Sequence, residues 1–117
     1  MSLLLVEDDE DARELMVELF ESVGYAIRAV ASARSALEAL SEDESIELVI
    51  LDLVLPGISG WELSVELAER WPRLPVVVCT GLPRQVPPNA ALLVKPFDLD
   101  DALAVVARQL QVRAVAR

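Results

Sequence analysis

The sequence contains no histidine, a single cysteine and few aromatic residues, and each shortage excludes something. Without histidine, neither histidine-based catalysis nor storage of a phosphoryl group on histidine can occur within this chain. A lone cysteine cannot form an internal disulfide, which suits a reducing compartment, and we expect a cytoplasmic location. Because Cys79 ends an apolar run, we interpret it as a small buried side chain rather than a reactive thiol.

Positive charge and long apolar runs are also scarce. Ten Lys and Arg residues stand against 20 Asp and Glu residues, which gives a net charge of −10. Nucleic acids and anionic membranes attract basic surfaces, so neither is an expected partner. No apolar run approaches the roughly 20 residues that cross a bilayer, and we expect no signal peptide. A chain of 117 residues with 54% hydrophobic content predicts one domain over residues 1–117.

Short apolar runs alternate with segments of helical spacing. These predicted strands cover residues 3–6, 25–29, 48–51, 76–79 and 92–94, and the second of them alternates rather than being continuously apolar. Helical spacing follows over residues 12–23, up to Gly24, and again after the predicted N-caps Ser32 and Asp98. A further helix is predicted to end near Trp71 and Pro72. Alternation of this kind predicts an α/β, doubly wound parallel sheet with right-handed crossovers.

Acidic, hydroxyl and ammonium groups follow four of these runs. Glu7 and Asp8 follow the first run, Asp52 the third, Thr80 the fourth and Lys95 the last. Ligands bind at the carboxyl edge of such a sheet, where these groups would meet. A carboxylate can attack phosphorus, Mg²⁺ takes oxygen ligands, and a lysine and a hydroxyl can bind phosphoryl oxygens. The pattern predicts a site for a divalent cation and a phosphoryl group, with Asp52 as the attacking group.

Each of these residues alone has a simpler interpretation. Acidic residues after a strand often stabilise a helix N-terminus, and that remains our interpretation of residues 9–11. Asp52 alone would suit a turn, Thr80 a loop hydroxyl and Lys95 a solvated charge. The functional hypothesis depends on matching chemistry at four strand ends of one sheet.

Four segments, LLLVEDDEDAR, LVILDLVLPGISGWEL, VVVCTG and LLVKPFDLDDAL, together resemble the receiver domain of two-component response regulators. The resemblance covers nearly the whole chain. It implies a flavodoxin-like, three-layer sandwich around a five-stranded parallel sheet in the order 2-1-3-4-5. It also implies a Mg²⁺ site formed by Glu7, Asp8, Asp52 and the backbone carbonyl of Val54.

The resemblance further implies a phosphorelay role. Asp52 would be the phosphoacceptor, with Thr80 as the switch hydroxyl and Lys95 as the phosphate-binding lysine. Because the chain lacks histidine, the phosphoryl donor would be a histidine kinase or a histidine phosphotransfer protein. The CTG and LDLDDAL segments are most similar to those of receivers attached to hybrid histidine kinases. The chain would be a phosphoacceptor signalling domain, not an enzyme, although it could belong to a larger hybrid kinase.

Two departures from the family pattern affect expectations about output. The segment between Thr80 and Lys95 is short and contains three prolines, which are excluded from helix interiors. We therefore expect the fourth helix to be shortened or missing, and the chain to be a monomer because that helix commonly supports dimerisation. Leu92 also stands where an aromatic residue is usual, which alters the expected output surface.

Two other functions would suit parts of this pattern. A receiver-like docking module that no longer cycles phosphate would suit the shortened segment and Leu92, but not the complete set of site residues. A phosphatase with an aspartyl nucleophile would usually place a second Asp at the position of Val54. No GxxxxGK or GxGxxG loop is present to bind a nucleotide.

Overall fold

The computed structural model describes residues 2–52, 60–80, 90–95 and 97–116, with side chains described as far as residue 111. The elements are β1 (Ser2–Val6), α1 (Glu10–Ser22), β2 (Ile27–Val30), α2 (Ala33–Glu42), β3 (Ile46–Asp52), α3 (Gly60–Arg70), β4 (Val76–Thr80), β5 (Ala91–Val94) and α4 (Leu99–Ala116). All five strands are parallel and lie in the order β2-β1-β3-β4-β5. The predicted α/β sheet and its strand order are confirmed.

The sheet is covered on both faces, which explains why its strands are continuous apolar runs. One cluster packs alternate strand residues, such as Val49 and Leu51, against α2 and α3. The other packs Leu48 and Ile50 against α1 and α4. Because side chains alternate along a strand, Asp52 projects from the same face as Ile50. The end of β3 therefore directs its carboxylate toward α1 and α4.

Local capping residues set the helix boundaries. The Asp9 carboxylate accepts a hydrogen bond from the third following backbone N–H at 3.2 Å, and the Ser32 hydroxyl does the same at 3.2 Å. Asp98 Oδ1 accepts from the Asp101 backbone N–H at 2.8 Å before α4. Gly24 has a φ of 97°, a left-handed conformation that suits glycine after a helix end. The predicted caps, and the interpretation of residues 9–11 as a helix N-terminus, are confirmed.

The second strand begins later than its sequence pattern predicts. It was expected over residues 25–29, but β2 extends from Ile27 to Val30. The Tyr25 N–H donates to the Phe20 carbonyl at 3.1 Å. The two rings also make an edge contact, with their centroids 5.8 Å apart. Tyr25 therefore packs against the end of α1, and the strand begins two residues later than predicted, at Ile27.

Several expectations lie outside the described residues. The Val54 carbonyl, a proposed metal ligand, belongs to residues 53–59, and the helix that we expected to be shortened or missing belongs to residues 81–89. Among the residues that the structure does describe, no helix is long and apolar enough to cross a membrane.

Candidate functional site

Parallel register brings the predicted site residues to one edge of the sheet. Asp52 pairs with Cys79 across β3 and β4, and Thr80 pairs with Val94 across β4 and β5. The last residue of β1 pairs with the residue that precedes Asp52. Glu7 therefore comes level with Asp52 at the carboxyl edge, as the chain leaves β1.

Lys95 is held at this edge by its backbone and by its side chain. Its N–H donates to the Thr80 carbonyl at 2.8 Å, which continues the pairing of β4 and β5. Its Nζ donates to Asp52 Oδ2 at 2.8 Å, and the two side chains are 42% and 12% exposed respectively. Because ion pairs open to solvent contribute only about 0–1 kcal/mol, this pair positions Lys95 more than it stabilises the fold.

Burial and neighbouring charge act in opposite directions on Lys95. Partial burial lowers the pKa of its ammonium group, but the hydrogen bond and charge of Asp52 outweigh that effect. The charge of Glu7 adds to them, and the net result is a pKa above the usual lysine value. Lys95 therefore stays positively charged beside Asp52, where it can bind an incoming anionic oxygen.

Three carboxyl groups converge beside this ion pair. Glu7, Asp8 and Asp52 each offer an oxygen, and these oxygens all lie within 4.8 Å of one another. Burial, followed by the hydrogen bond and charge of Asp52, raises the pKa of Glu7 from 4.5 to about 7. Within the part of the chain that the structure describes, the buried Glu7 Oε2 has no hydrogen-bond partner. Such an oxygen is costly to bury unless it acquires a partner.

This donor set fits Mg²⁺. The ion is a hard cation that prefers carboxylate oxygens and retains several waters. A divalent cation would relieve the repulsion among the three carboxylates and, directly or through one of its waters, supply the partner that Glu7 Oε2 lacks. Asp8 is exposed, so that one side of the site remains open to water.

Cys79 and Thr80 are the last two residues of β4, and both are buried. Thr80 is 7% exposed and is the last residue of β4, at the carboxyl edge of the sheet. Cys79 is 5% exposed, and burial raises the pKa of its thiol to about 12. The charges of Asp52 and Glu7 act in the same direction as burial. The thiol stays protonated, which confirms the interpretation of Cys79 as a small buried side chain.

Sequence reasoning missed one residue that supports the site. Arg13, in the first turns of α1, donates from Nη1 to the Glu7 carbonyl at 3.0 Å and to the Asp8 carbonyl at 3.4 Å. The guanidinium thereby fixes the backbone that carries two of the three carboxylates. Its spacing, six residues after Glu7 in a helix that starts beside the site, was the available signal.

The raised pKa of Glu7 predicts a stability that falls as pH rises from about 5 to 8. Between its unfolded pKa of 4.5 and its folded pKa of about 7, the folded state binds more protons than the unfolded state. The full shift would correspond to about 3 kcal/mol, and solvent screening of this half-buried group reduces our expectation to about 1–2 kcal/mol. Urea unfolding in the absence of Mg²⁺ measures it. Glu7→Gln should lose this part of the pH dependence, and the exposed Glu18→Gln should retain it. Identical pH profiles for wild type and Glu7→Gln would contradict the prediction.

Comparisons with known proteins agree with this geometry. Residues 3–107 match the family model described as the response regulator receiver domain. The response regulator receiver protein CpdR of Brucella abortus is 33% identical over 115 residues, covering 92% of this chain and 95% of CpdR. The response regulator protein FleR of Pseudomonas aeruginosa is 38% identical over 113 residues, covering 91% of this chain but 24% of FleR.

A solved structure extends the comparison to three dimensions. The crystal structure of the receiver domain of NtrX from Brucella abortus superposes with a TM-score of 0.83 at 29% identity. It covers 94% of this chain and 98% of the NtrX receiver chain. The chain thus spans nearly all of a receiver by itself and about a quarter of a larger regulator such as FleR.

Proposed function

Because the chain belongs to the response regulator receiver domain family, we propose that Asp52 is its phosphoacceptor. The observation that carries the proposal is the contact between Lys95 Nζ and Asp52 Oδ2 at 2.8 Å. Asp52 ends a buried strand, lies within the group of three carboxylates and has a cation fixed beside it. A nucleophile, a positive charge and a metal-binding group are thus supplied at one position.

The proposed transfer breaks a nitrogen–phosphorus bond and forms an oxygen–phosphorus bond. A carboxylate oxygen of Asp52 attacks the phosphorus of a partner's phosphohistidine, and the imidazole nitrogen leaves with the bonding electrons. Lys95 then exchanges part of its contact with Asp52 for a phosphoryl oxygen, and Thr80 donates its hydroxyl hydrogen bond to another. Positioning and charge stabilisation of this kind supply most of the catalysis in phosphoryl transfer.

We propose that Mg²⁺ binds mainly to Asp8 and Asp52, with Glu7 contributing partly through water. The close approach of the three carboxylates and the unpartnered Glu7 Oε2 support this assignment. When bound, Mg²⁺ would neutralise the negative charge that otherwise repels an incoming phosphoryl group. The backbone carbonyl of Val54 remains a proposed fourth protein ligand, outside the described residues.

Receiver domains are signalling domains, and the remaining assignments are proposals for this chain. We propose that residues 1–117 form one receiver domain that is not itself an enzyme. Its partner would be a histidine kinase or a histidine phosphotransfer protein, either separate or within a larger hybrid kinase. We also propose a cytoplasmic location, which the single cysteine suits. The net charge of −10 supports the proposal that neither nucleic acid nor a membrane is a partner.

The docking-module and phosphatase alternatives receive no support from particular contacts. A module that only docks would not need Lys95 paired with Asp52 or three convergent carboxylates. An aspartyl phosphatase would usually carry a second Asp at the position of Val54. The receiver function therefore remains the one that the site geometry favours.

Phosphorylation by a small donor tests the proposal. We expect the chain to gain one phosphoryl group from phosphoramidate in the presence of Mg²⁺, as measured by intact-protein mass spectrometry. EDTA should prevent the gain, because the three carboxylates would then repel the donor. A chain that gains no phosphate under these conditions would favour the docking module instead.

A slow loss of phosphate is also expected. In receivers, the side chains two positions after the acceptor Asp and after the switch Thr can orient an attacking water. Here these residues are Val54 and Leu82, whose side chains cannot hydrogen-bond and which lie outside the described residues. Badly placed water slows in-line attack, so we expect the aspartyl phosphate to last for minutes or more. The short, proline-containing segment after Thr80 leads us to expect a monomer both with and without phosphate. Mass spectrometry over time measures the first expectation, and light scattering measures the second. Loss within seconds, or a dimer formed on phosphorylation, would contradict the prediction.

A further inference from the structure

A cavity of about 530 Å³ lies between α1, α4 and the sheet, next to the carboxyl edge. Leu5, Ile50 and Cys79 line it from the sheet, Met16 and Leu19 from α1, and Phe97 and Ala102 from the α4 side. Its volume falls in the range of roughly 300–1,000 Å³ that is typical of small-molecule sites. Site residues occupy one end, and apolar side chains form most of the remaining wall.

The polar end of the cavity carries an excess of negative charge. Glu7, Asp52 and Asp98 line it together with Lys95. Lys95, whose ammonium contacts Asp52 at 2.8 Å, is the one cation among these lining residues against three acids, so a net negative charge remains. Glu7 Oε2 is buried and, among the described residues, has no hydrogen-bond partner. A cationic hydrogen-bond donor would satisfy this oxygen, whereas an anion would meet net repulsion.

The apolar part has room for the body of such a ligand. Phe97 provides an aromatic ring, and Met16 provides an adaptable thioether side chain. Ala12 and Ala102 line the wall with small side chains and so leave the space open. Leu15, also on the wall, is 56% exposed, which places part of the cavity boundary at the protein surface.

We propose that this cavity binds a small amphiphilic amine. Its ammonium group contacts Glu7 and Asp52, and its apolar body lies between α1 and α4 along Met16 and Phe97. The ammonium would contact two of the three carboxylates proposed for Mg²⁺, Glu7 and Asp52, so that amine and metal compete. Binding of the amine itself does not depend on phosphorylation, whereas the competition rests on the proposed metal site.

A charge-matched set of probes tests the ligand class. We use 2-phenylethylammonium, 2-phenylethanol and 3-phenylpropanoate, which share an apolar body and differ in the charge of the head group. By calorimetry on the full chain without Mg²⁺, the amine should bind at least about tenfold more tightly than the carboxylate, with the alcohol between them. Equal or tighter binding of the carboxylate would overturn the proposal, as would no binding of the amine.

A cavity-filling variant separates this site from general attraction to an acidic protein. Ala12→Leu places a larger side chain in the cavity and should weaken amine binding at least about tenfold. Ala104→Leu, at an exposed position of α4 outside the lining, should leave it unchanged. If Ala12→Leu fails to fold, methyl NMR of the wild type decides. The Met16 methyl resonance should shift on binding, whereas those of Leu40 on the opposite sheet face should not. Equal shifts on both faces, or equal binding by both variants, would overturn the proposal.

The competition test distinguishes failure of the ligand site from failure of the proposed function. Saturating Mg²⁺ should weaken the amine's affinity several-fold, and the amine should slow phosphorylation by phosphoramidate. Amine binding that ignores Mg²⁺ in a chain that still phosphorylates would overturn the shared-carboxylate arrangement alone. Absence of phosphorylation with intact amine binding would contradict the proposed function and leave the cavity assignment supported.

Discussion

Asp52→Asn is expected to abolish phosphate incorporation from phosphoramidate. Intact-protein mass spectrometry should detect no phosphorylated form of the variant. An amide has no anionic oxygen to attack phosphorus, and its pairing with the Lys95 ammonium loses the charge attraction of the present 2.8 Å contact. The substitution preserves the shape of the side chain at the end of β3. The fold should therefore persist, with an unchanged far-ultraviolet circular dichroism spectrum.

Asp100→Asn provides the matched control. Asp100 is an exposed acid in the first turn of α4, away from the carboxylate group, and the same chemical change there should leave phosphorylation intact. In the Asp52→Asn variant, the loss of the Asp52 charge should also bring the pKa of Glu7 closer to its usual value. Burial, the largest cause of the shift, remains in that variant. Phosphate that persists on Asp52→Asn at the wild-type yield would show that another residue is the acceptor.

The second large effect concerns Mg²⁺. A ligand that binds only the folded state stabilises it by mass action, by about 2.7 kcal/mol at a concentration 100 times Kd. The wild-type chain should therefore gain several degrees in Tm in millimolar Mg²⁺. Asp8→Ala should lose most of this gain, because it removes one of the three converging carboxylates.

Asp11→Ala serves as the control for charge alone. Asp11 belongs to the first turn of α1 and is not one of the converging carboxylates. Its removal changes the net charge by the same amount as Asp8→Ala but should preserve the Mg²⁺-dependent gain in Tm. Equal stabilisation of wild type and Asp8→Ala by Mg²⁺ would place the metal elsewhere.

The fold was largely predictable because the strands of a buried parallel sheet are continuous apolar runs. The strands β1 and β5 end where their runs end, whereas β3 and β4 extend one residue further, to Asp52 and Thr80. Capping residues such as Ser32 mark helix starts through local hydrogen bonds. The start of β2 was not predictable from its own residues. It depends on Tyr25 packing on Phe20, a tertiary contact that a short alternating pattern does not contain.

The site was predictable as a set of residues but not as an arrangement of atoms. That Glu7, Asp52 and Lys95 meet at one edge follows from the general rule for parallel sheets. The ion pair of Lys95 with Asp52, the unpartnered Glu7 Oε2 and the support from Arg13 depend on strand register and on the position of α1. The cavity behind the site was also beyond sequence reasoning, because it results from how two helices pack on one sheet face.

Locating the phosphoryl group in the wild-type chain tests the central claim most directly. Borohydride cleaves an aspartyl phosphate and reduces that carboxyl group to an alcohol, which marks the acceptor for peptide mass spectrometry. After treatment with phosphoramidate and Mg²⁺, we predict homoserine at position 52 and unreduced carboxyl groups at Glu7 and Asp8. Reduction at another carboxyl group, or phosphate retained on a hydroxyl such as that of Thr80, would contradict the assignment of Asp52 as the phosphoacceptor.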